Sequence, residues 1–168
     1  MIASLFQSLL ETLQTVPGIA QVTEVPRSME TVTLPAIFID LAELAYGLDA
    51  GTEQLALVAH WEARLVMSDA LDDQTVWSLV EAVMLALFTA RWSDVDIGKA
   101  ELKQATPDEF SPDLVGHRVW LIEWAQRLRV GDNVFEGEGI VPTEVVIRYQ
   151  GSDETTTYTL PARSESAN

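Results

Sequence analysis

No cysteine occurs among the 168 residues. A disulfide framework, a thiolate metal site and a cysteine nucleophile are therefore excluded together. Basic residues are scarce: ten Lys and Arg stand against 26 Asp and Glu, a net charge of −16. A surface of that sign repels phosphate backbones and anionic lipid headgroups, which argues against a protein that grips nucleic acid or membrane. It also keeps a free subunit soluble and discourages premature association; a halophilic origin would give the same imbalance. Long apolar runs are missing too. The longest, Val76 to Phe88, is broken by Ser78 and Glu81 and falls short of the ~20 residues of a membrane span. The opening Met1-Ile2-Ala3-Ser4-Leu5-Phe6 has neither a basic region nor a small-residue cleavage site, so it is not a secretory signal. A protein that is soluble and intracellular where it is made is expected.

What is present suits one domain with a short extension. The hydrophobic fraction of 48% is ordinary for a globular chain. A chain of this length can bury roughly two-thirds of its unfolded surface without help from metal or disulfide.

The periodicity of apolar residues divides the chain. Ile2, Leu5, Phe6, Leu9, Leu10 and Leu13 recur at helical spacing, and Pro17-Gly18 stops that helix. Residues 19–25 form a weak strand candidate ending at Pro26. Leu34-Pro35-Ala36-Ile37-Phe38-Ile39-Asp40-Leu41 is apolar on both parities, as a strand buried on both faces is; a connection over 43–52 is expected after it. Gln54 to Met67 alternates cleanly, with Leu57, Ala59, Trp61, Ala63 and Leu65 on the apolar side. Val76, Leu79, Val80, Val83, Met84, Leu87 and Phe88 predict a second helix with one continuous stripe. Asp72 or Asp73 should cap its start, and Arg91 suits its C-terminal end. A short strand over Ile97–Gln104, a polar loop over Thr106–Gly116 and a long strand over Arg118–Val130 follow, the last with Trp120, Ile122, Trp124, Leu128 and Val130 on one side. Beyond Gly131 the composition turns polar, and Thr143–Tyr149 with Thr155–Leu160 reads as a β-hairpin before a frayed 163–168 tail. The fold class is α+β: a mainly antiparallel sheet, two amphipathic helices packed on one face, and a C-terminal hairpin extension.

Residue types that carry chemistry are present but not assembled. Gly137-Glu138-Gly139 is too short for a phosphate loop, and its carboxylate would repel the ligand. His60 lies on the polar parity of its strand, without a second ligand at local spacing. His117 opens a strand near Asp113, but no nucleophile or oxyanion donor accompanies the pair. Asp69, Asp72 and Asp73 precede a helix, and Asp94 and Asp96 follow one; they suit capping and turns, since neither group has the glycine and distal glutamate of a calcium loop. No catalytic, cofactor-binding or metal-binding residue is assigned. Of the tryptophans, Trp61, Trp120 and Trp124 share the apolar parity of their strands and suit the core. Trp77 lies off the helical stripe and suits an interface, where Trp is favoured.

The leading helix, the Leu-Pro-Ala-Ile-Phe-Ile strand at 34–39, and Trp61-Glu62-Ala63-Arg64-Leu65-Val66-Met67 come in a suggestive order. An Asp-led helix of the Val76–Phe88 type and the late strand Trp120-Leu121-Ile122-Glu123-Trp124 complete it. This order resembles the tail terminator, or tail completion, proteins of long-tailed bacteriophages, including the Mu-like branch. The resemblance covers residues 1–130 as a tail-terminator-like domain and leaves 131–168 as an extension. It implies a non-enzymatic virion protein without cofactors, assembled in the host cytoplasm and placed at the tail–neck junction. The implied homohexameric ring caps the completed tail tube, joins it to the neck or connector protein, and in contractile tails touches the last sheath ring. DNA would pass through its pore without specific binding. Lateral contacts then call on basic side chains such as Arg64, Arg91, Arg118, Arg127, Arg129 and Arg148, with Trp77, Tyr149 and Tyr158 as further interface residues. The hairpin is expected either to extend a neighbour's sheet or dock on another virion protein, or to cover the domain's own sheet edge. Other readings remain: a different head–tail joining or neck ring component, a small ligand-binding or enzymatic domain using the Trp-rich sheet, and an acidic regulator or nucleic-acid mimic.

Overall fold

The computed structural model describes residues 1–25, 32–92, 96–108, 116–135, 144–148 and 155–159; of the last two segments it describes the backbone and the side chain of Thr157. Helix α1 spans Ile2–Gln14, β1 Gln21–Glu24, β2 Ala36–Tyr46, β3 Leu55–Ser68, α2 Asp73–Thr89, β4 Glu101–Pro107, β5 His117–Val130, β6 Glu144–Arg148 and β7 Thr155–Thr159. The first seven elements lie in one compact unit, Met1–Asp132, and the last two in a second, Asn133–Asn168. The fold is α+β.

Five strands form a sheet in the order β1-β2-β3-β5-β4. β1 runs parallel to β2; every other pairing is antiparallel. Its backbone is the full-length pairing of β3 with β5, from Leu55 opposite Val130 to Ser68 opposite His117. In this register the odd positions of β3 share a face with the even positions of β5. Trp61 lies directly across from Trp124, and the two rings stack at 6.4 Å. Phe6 of α1 stacks on Trp61 at 6.1 Å. Pairs of this kind contribute about 0.5–1.5 kcal/mol beyond the area they bury. Around them Leu5, Leu9 and Leu13 of α1, Val76, Val80, Val83 and Leu87 of α2, and Ile37, Ile39, Leu65, Met67, Ile122 and Leu128 of the sheet form one buried cluster. Both helices therefore cover the same face of the sheet.

The apolar stretch at 34–41 is buried on both faces for a local reason. Ile37 and Ile39 enter the main core. Ala36 and Phe38 join Val66 and Val119 in a second cluster on the opposite face, where Val32 and Leu34 pack against them. Elsewhere that second face is polar and largely compensated in charge. Arg64 bridges Glu62 at 2.9 Å and Asp108 at 3.2 Å, Arg127 reaches Glu101 at 3.2 Å, and Gln104 donates to Glu123.

Several boundaries differ from the sequence reading. β2 does not stop near Leu41: it passes an irregularity between Leu41 and Glu43 and pairs with β3 as far as Tyr46. Much of the expected 43–52 connection is therefore strand, held by its partner instead of by apolar patterning. The edge strand near 97–104 is shifted to 101–107, and Ile97 makes only a single bridge to Leu128. Thr106 and Pro107 thus belong to a strand, not to the loop. The rest of that loop, residues 109–115, lies outside the described residues, as do Gly137, Gly139, Tyr149 and the 163–168 tail.

Helix ends follow the expected chemistry. The Asp72 carboxylate accepts from the Thr75 amide at 3.0 Å and from the Thr75 hydroxyl at 2.7 Å. These bonds, the amide foremost, hold its pKa below the ordinary value of 3.8. Arg91 Nη1 donates to the carbonyls of Thr89 and Ala90, which α2 leaves unpaired. Asp73, the other capping candidate, pairs with Arg118, which also donates to the Leu71 carbonyl and so ties the start of β5 to the start of α2. Gly18 has φ +87°, and a Cβ there would meet Leu79 Cδ2 at 3.0 Å. The turn after α1 therefore needs glycine both for its left-handed backbone and for its approach to α2.

Candidate functional site

Helix α2 has more apolar surface than its own core uses. Val76, Val80, Val83 and Leu87 point inward and are at most 6% exposed. A second arc, offset around the helix, bears Trp77, Leu85 and Phe88, which remain 59%, 57% and 64% exposed. Phe88 was expected in the buried stripe; it lies outside because Leu87 already fills the core-facing position of that turn. Trp77 stands off the stripe, as its position predicts. With Met84, Leu102 of β4 and Trp120 of β5, this arc lines an open groove of about 440 Å³. Glu81 is the charged residue on its wall. Large exposed apolar patches of this kind mark contact surfaces in soluble proteins.

A second groove, about 730 Å³, lies at the other margin of the sheet. Ile2, Ala3 and Phe6 of α1 form one wall, and Val25, Ile39 and Leu41 another, with Trp61 between them. Glu24, in register with Ile39, is the charged residue on its helical side, whereas Asp40, opposite Glu62, lies at a strand position that faces the polar side of the sheet. β1 pairs only with Ala36–Ile39, so from Asp40 onward the outer edge of β2 has no strand beside it among the described residues, and the groove opens there. Both grooves lie between a helix and the sheet on the helical face, one beside β1 and β2 and the other beside β4.

The remaining interface candidates are dispersed. Arg64, with its side chain 26% exposed, is engaged on the polar sheet face. Arg127 keeps 75% of its side chain exposed while pairing with Glu101, and Arg129 is exposed at the end of β5. Arg148 and Tyr158 lie in β6 and β7, where only the backbone is described, and Tyr149 lies outside the described residues. Within the first unit, Arg64 and Arg127 lie on the polar sheet face, while Trp77 lies on α2 over the other face.

No group resembling a reaction centre is gathered at either groove. Among the described residues no cluster of three or more His, Asp or Glu could hold a metal ion. His60 is half-buried on the sheet's polar face, and Asp113, the neighbour proposed for His117, lies outside the described residues. Asp96 serves the fold, accepting from Gln54 Nε2 at 3.0 Å. No described helix is long and apolar enough to cross a membrane.

The sequence pattern assigns Phe6 and Phe88 to helical core stripes and gives no role to the groove residues Leu85, Leu102 and Val25. The signal that could have found the first groove is the breadth of the apolar arc on α2, which exceeds what one buried stripe needs. The second has no such signal, because it is made by a helix, a strand end and a loop distant in sequence.

No family model matches the chain, and no curated protein matches it. Among solved structures, it is similar to a chain from the virion of a native gene transfer agent particle, at 15% identity and a TM-score of 0.46. The match covers 72% of this chain and 84% of that one. A likeness so distant carries no role across.

Proposed function

We propose that this chain is a structural subunit of a phage-like virion, a tail terminator whose copies close into a homohexameric ring on the completed tail tube and join it to the neck. One observation carries the reading: the domain presents two apolar grooves at opposite margins of its sheet, with different linings. A subunit with two unlike contact surfaces assembles head to tail, and such an assembly forms a ring when its rotation closes. The order of helices and strands, set beside the resemblance to tail terminators, favours a ring at the tail–neck junction over other assemblies. At −16 per subunit, a ring would let DNA pass without holding it, because like charges repel at close range. Partners in this reading are further copies of the chain, the tail tube protein, the neck or connector protein and, in a contractile tail, the last sheath ring. Assembly would take place in the host cytoplasm.

Solution mass measured with and without tail tubes, together with negative-stain images, tests it. The expected result is a ring of six seated on tube ends. A monomer in both samples overturns the reading, and co-purification with portal-side proteins but not tubes moves the chain to a neck component. The hairpin of β6 and β7 is assigned a docking role on a neighbouring sheet or another virion protein. If removal of residues 132–168 leaves ring assembly and tail joining unchanged, that role is lost.

A further inference from the structure

We infer that the open edge of β2 receives strand β6 of a second copy of the chain. This rests on the ring reading above and gives the hairpin's docking role a specific contact. The outer edge of β2 from Asp40 to Tyr46 has no strand beside it among the described residues, so its outward backbone N–H and C=O groups are a template for strand addition. β6 and β7, for their part, form a two-stranded sheet by themselves. A hairpin of two strands is marginally stable at best in water and gains from a third. Each subunit then offers one edge and one hairpin, so the contact runs head to tail and can close into a ring.

The faces of the two strands match. Beyond the irregularity between Leu41 and Glu43, Leu44 lies opposite Ala59 and Tyr46 opposite Leu57, on the helical side of the sheet, and both are exposed. Glu43 lies opposite His60 and Ala45 opposite Val58, on the polar side. In the hairpin, Val145 pairs with Tyr158 and Ile147 with Thr156, so these four positions share a face, and Glu144, Val146 and Arg148 alternate with them. An antiparallel register that sets Ile147 beside Leu44 and Val145 beside Tyr46 continues the apolar row of the sheet. The same register sets Arg148 beside Glu43 and Val146 beside Ala45. A slip of one residue would put every position on the wrong side.

Charge selects this strand and this direction. Asp40 and Glu43 are exposed and have no ion-pair partner among the described residues, whereas Glu62, opposite Asp40, is bridged by Arg64. Arg148 is the one basic residue in either hairpin strand; β7 has none. Running antiparallel, β6 brings Arg148 to the Asp40–Glu43 end of the edge and takes Glu144 toward Gly47. A parallel strand would set Glu144 among those carboxylates, which like-charge repulsion disfavours.

Because the chain lacks cysteine, introduced thiols report this contact without background. A full chain with Leu44→Cys is mixed with one carrying Ile147→Cys, and Tyr46→Cys with Val145→Cys; the mixtures are assembled and oxidised. Each mixture should give a covalent heterodimer on a denaturing gel, and each double variant a ladder of multimers. Arg148→Glu should raise the concentration needed for assembly about tenfold, as a like charge placed across a contact does, and Glu43→Arg in the same chain should restore it. Double variants that close only within one chain show the hairpin pairing with its own sheet and overturn the second-copy contact. Assembly of normal mass without a crosslink from either pair overturns the contact and leaves the ring reading standing. A chain that remains monomeric with and without tail tubes overturns the ring reading and this inference with it.

Discussion

The two arcs of α2 contain similar residues and have opposite fates. Val76, Val80, Val83 and Leu87 are sealed against the sheet, whereas Trp77, Leu85 and Phe88, interleaved with them in sequence, face outward at 57–64% exposure. Hydrophobicity alone does not separate core from contact surface. What separates them is whether the subunit has another element to place against each arc, and α2 has the sheet on only one side.

That contrast can be broken by substitution. Leu87→Ala, which opens space in the fully buried cluster, should cost about 2–5 kcal/mol of unfolding free energy by denaturant titration. A cost near zero would mean that the arc is not sealed. Phe88→Ser should leave subunit stability within about 0.5 kcal/mol, as exposed positions do, while weakening assembly; a large loss of stability would place Phe88 in the core after all.

The stacked tryptophans sharpen the point within the core. Trp124 Nε1 donates to Gln126 Oε1 at 3.1 Å, and Gln126 Nε2 reaches the Gly98 carbonyl at 3.2 Å. Trp61 Nε1 is buried without a partner. Trp124→Phe strands the Gln126 acceptor, while Trp61→Phe removes an unsatisfied donor. Trp124→Phe should therefore be the more damaging by about 1–3 kcal/mol, the cost of an unmet buried polar group. Equal losses in thermal or denaturant unfolding would contradict this account.

A smaller effect is expected at the start of α2. Because the folded-state pKa of Asp72 lies below 3.8, its contribution is fully present above that value and fades as pH falls through the lowered folded pKa. The gap in melting temperature between the parent chain and Asp72→Ala should accordingly be open at neutral pH and narrow in strong acid. A gap that does not change with pH would show that the carboxylate's charge is not what stabilises the cap.

Much of the fold was legible because its signals are local. Helical spacing marked α1 and α2, alternation marked β3 and β5, and the parity of Trp61 and Trp124 placed both on the side that the helices cover. The misread boundaries fall where neighbours overrule the local pattern. Residues 42–46 form strand because β3 offers them hydrogen-bond partners, although Glu43 and the exposed Tyr46 give no buried pattern. β4, with no buried side chain along its length, lacks the alternation that reveals a half-buried strand, and was therefore placed four residues too early. The arginines expected at subunit contacts also have surroundings that only the fold sets. Arg64, Arg118 and Arg127 have acidic partners within the subunit, which a list of charges along the chain cannot reveal.

By itself the sequence determined the element types, the acidic balance, the absence of thiol chemistry and the apolar surplus of α2, since each depends on residues close together in the chain. Tertiary structure decided which arc of α2 stays open, that Phe6, Val25 and Leu41 meet in a hollow at the far margin, and that the two hollows have different linings. Those depend on strand order, which brings distant segments side by side and leaves two sheet margins with no further strand beside them among the described residues.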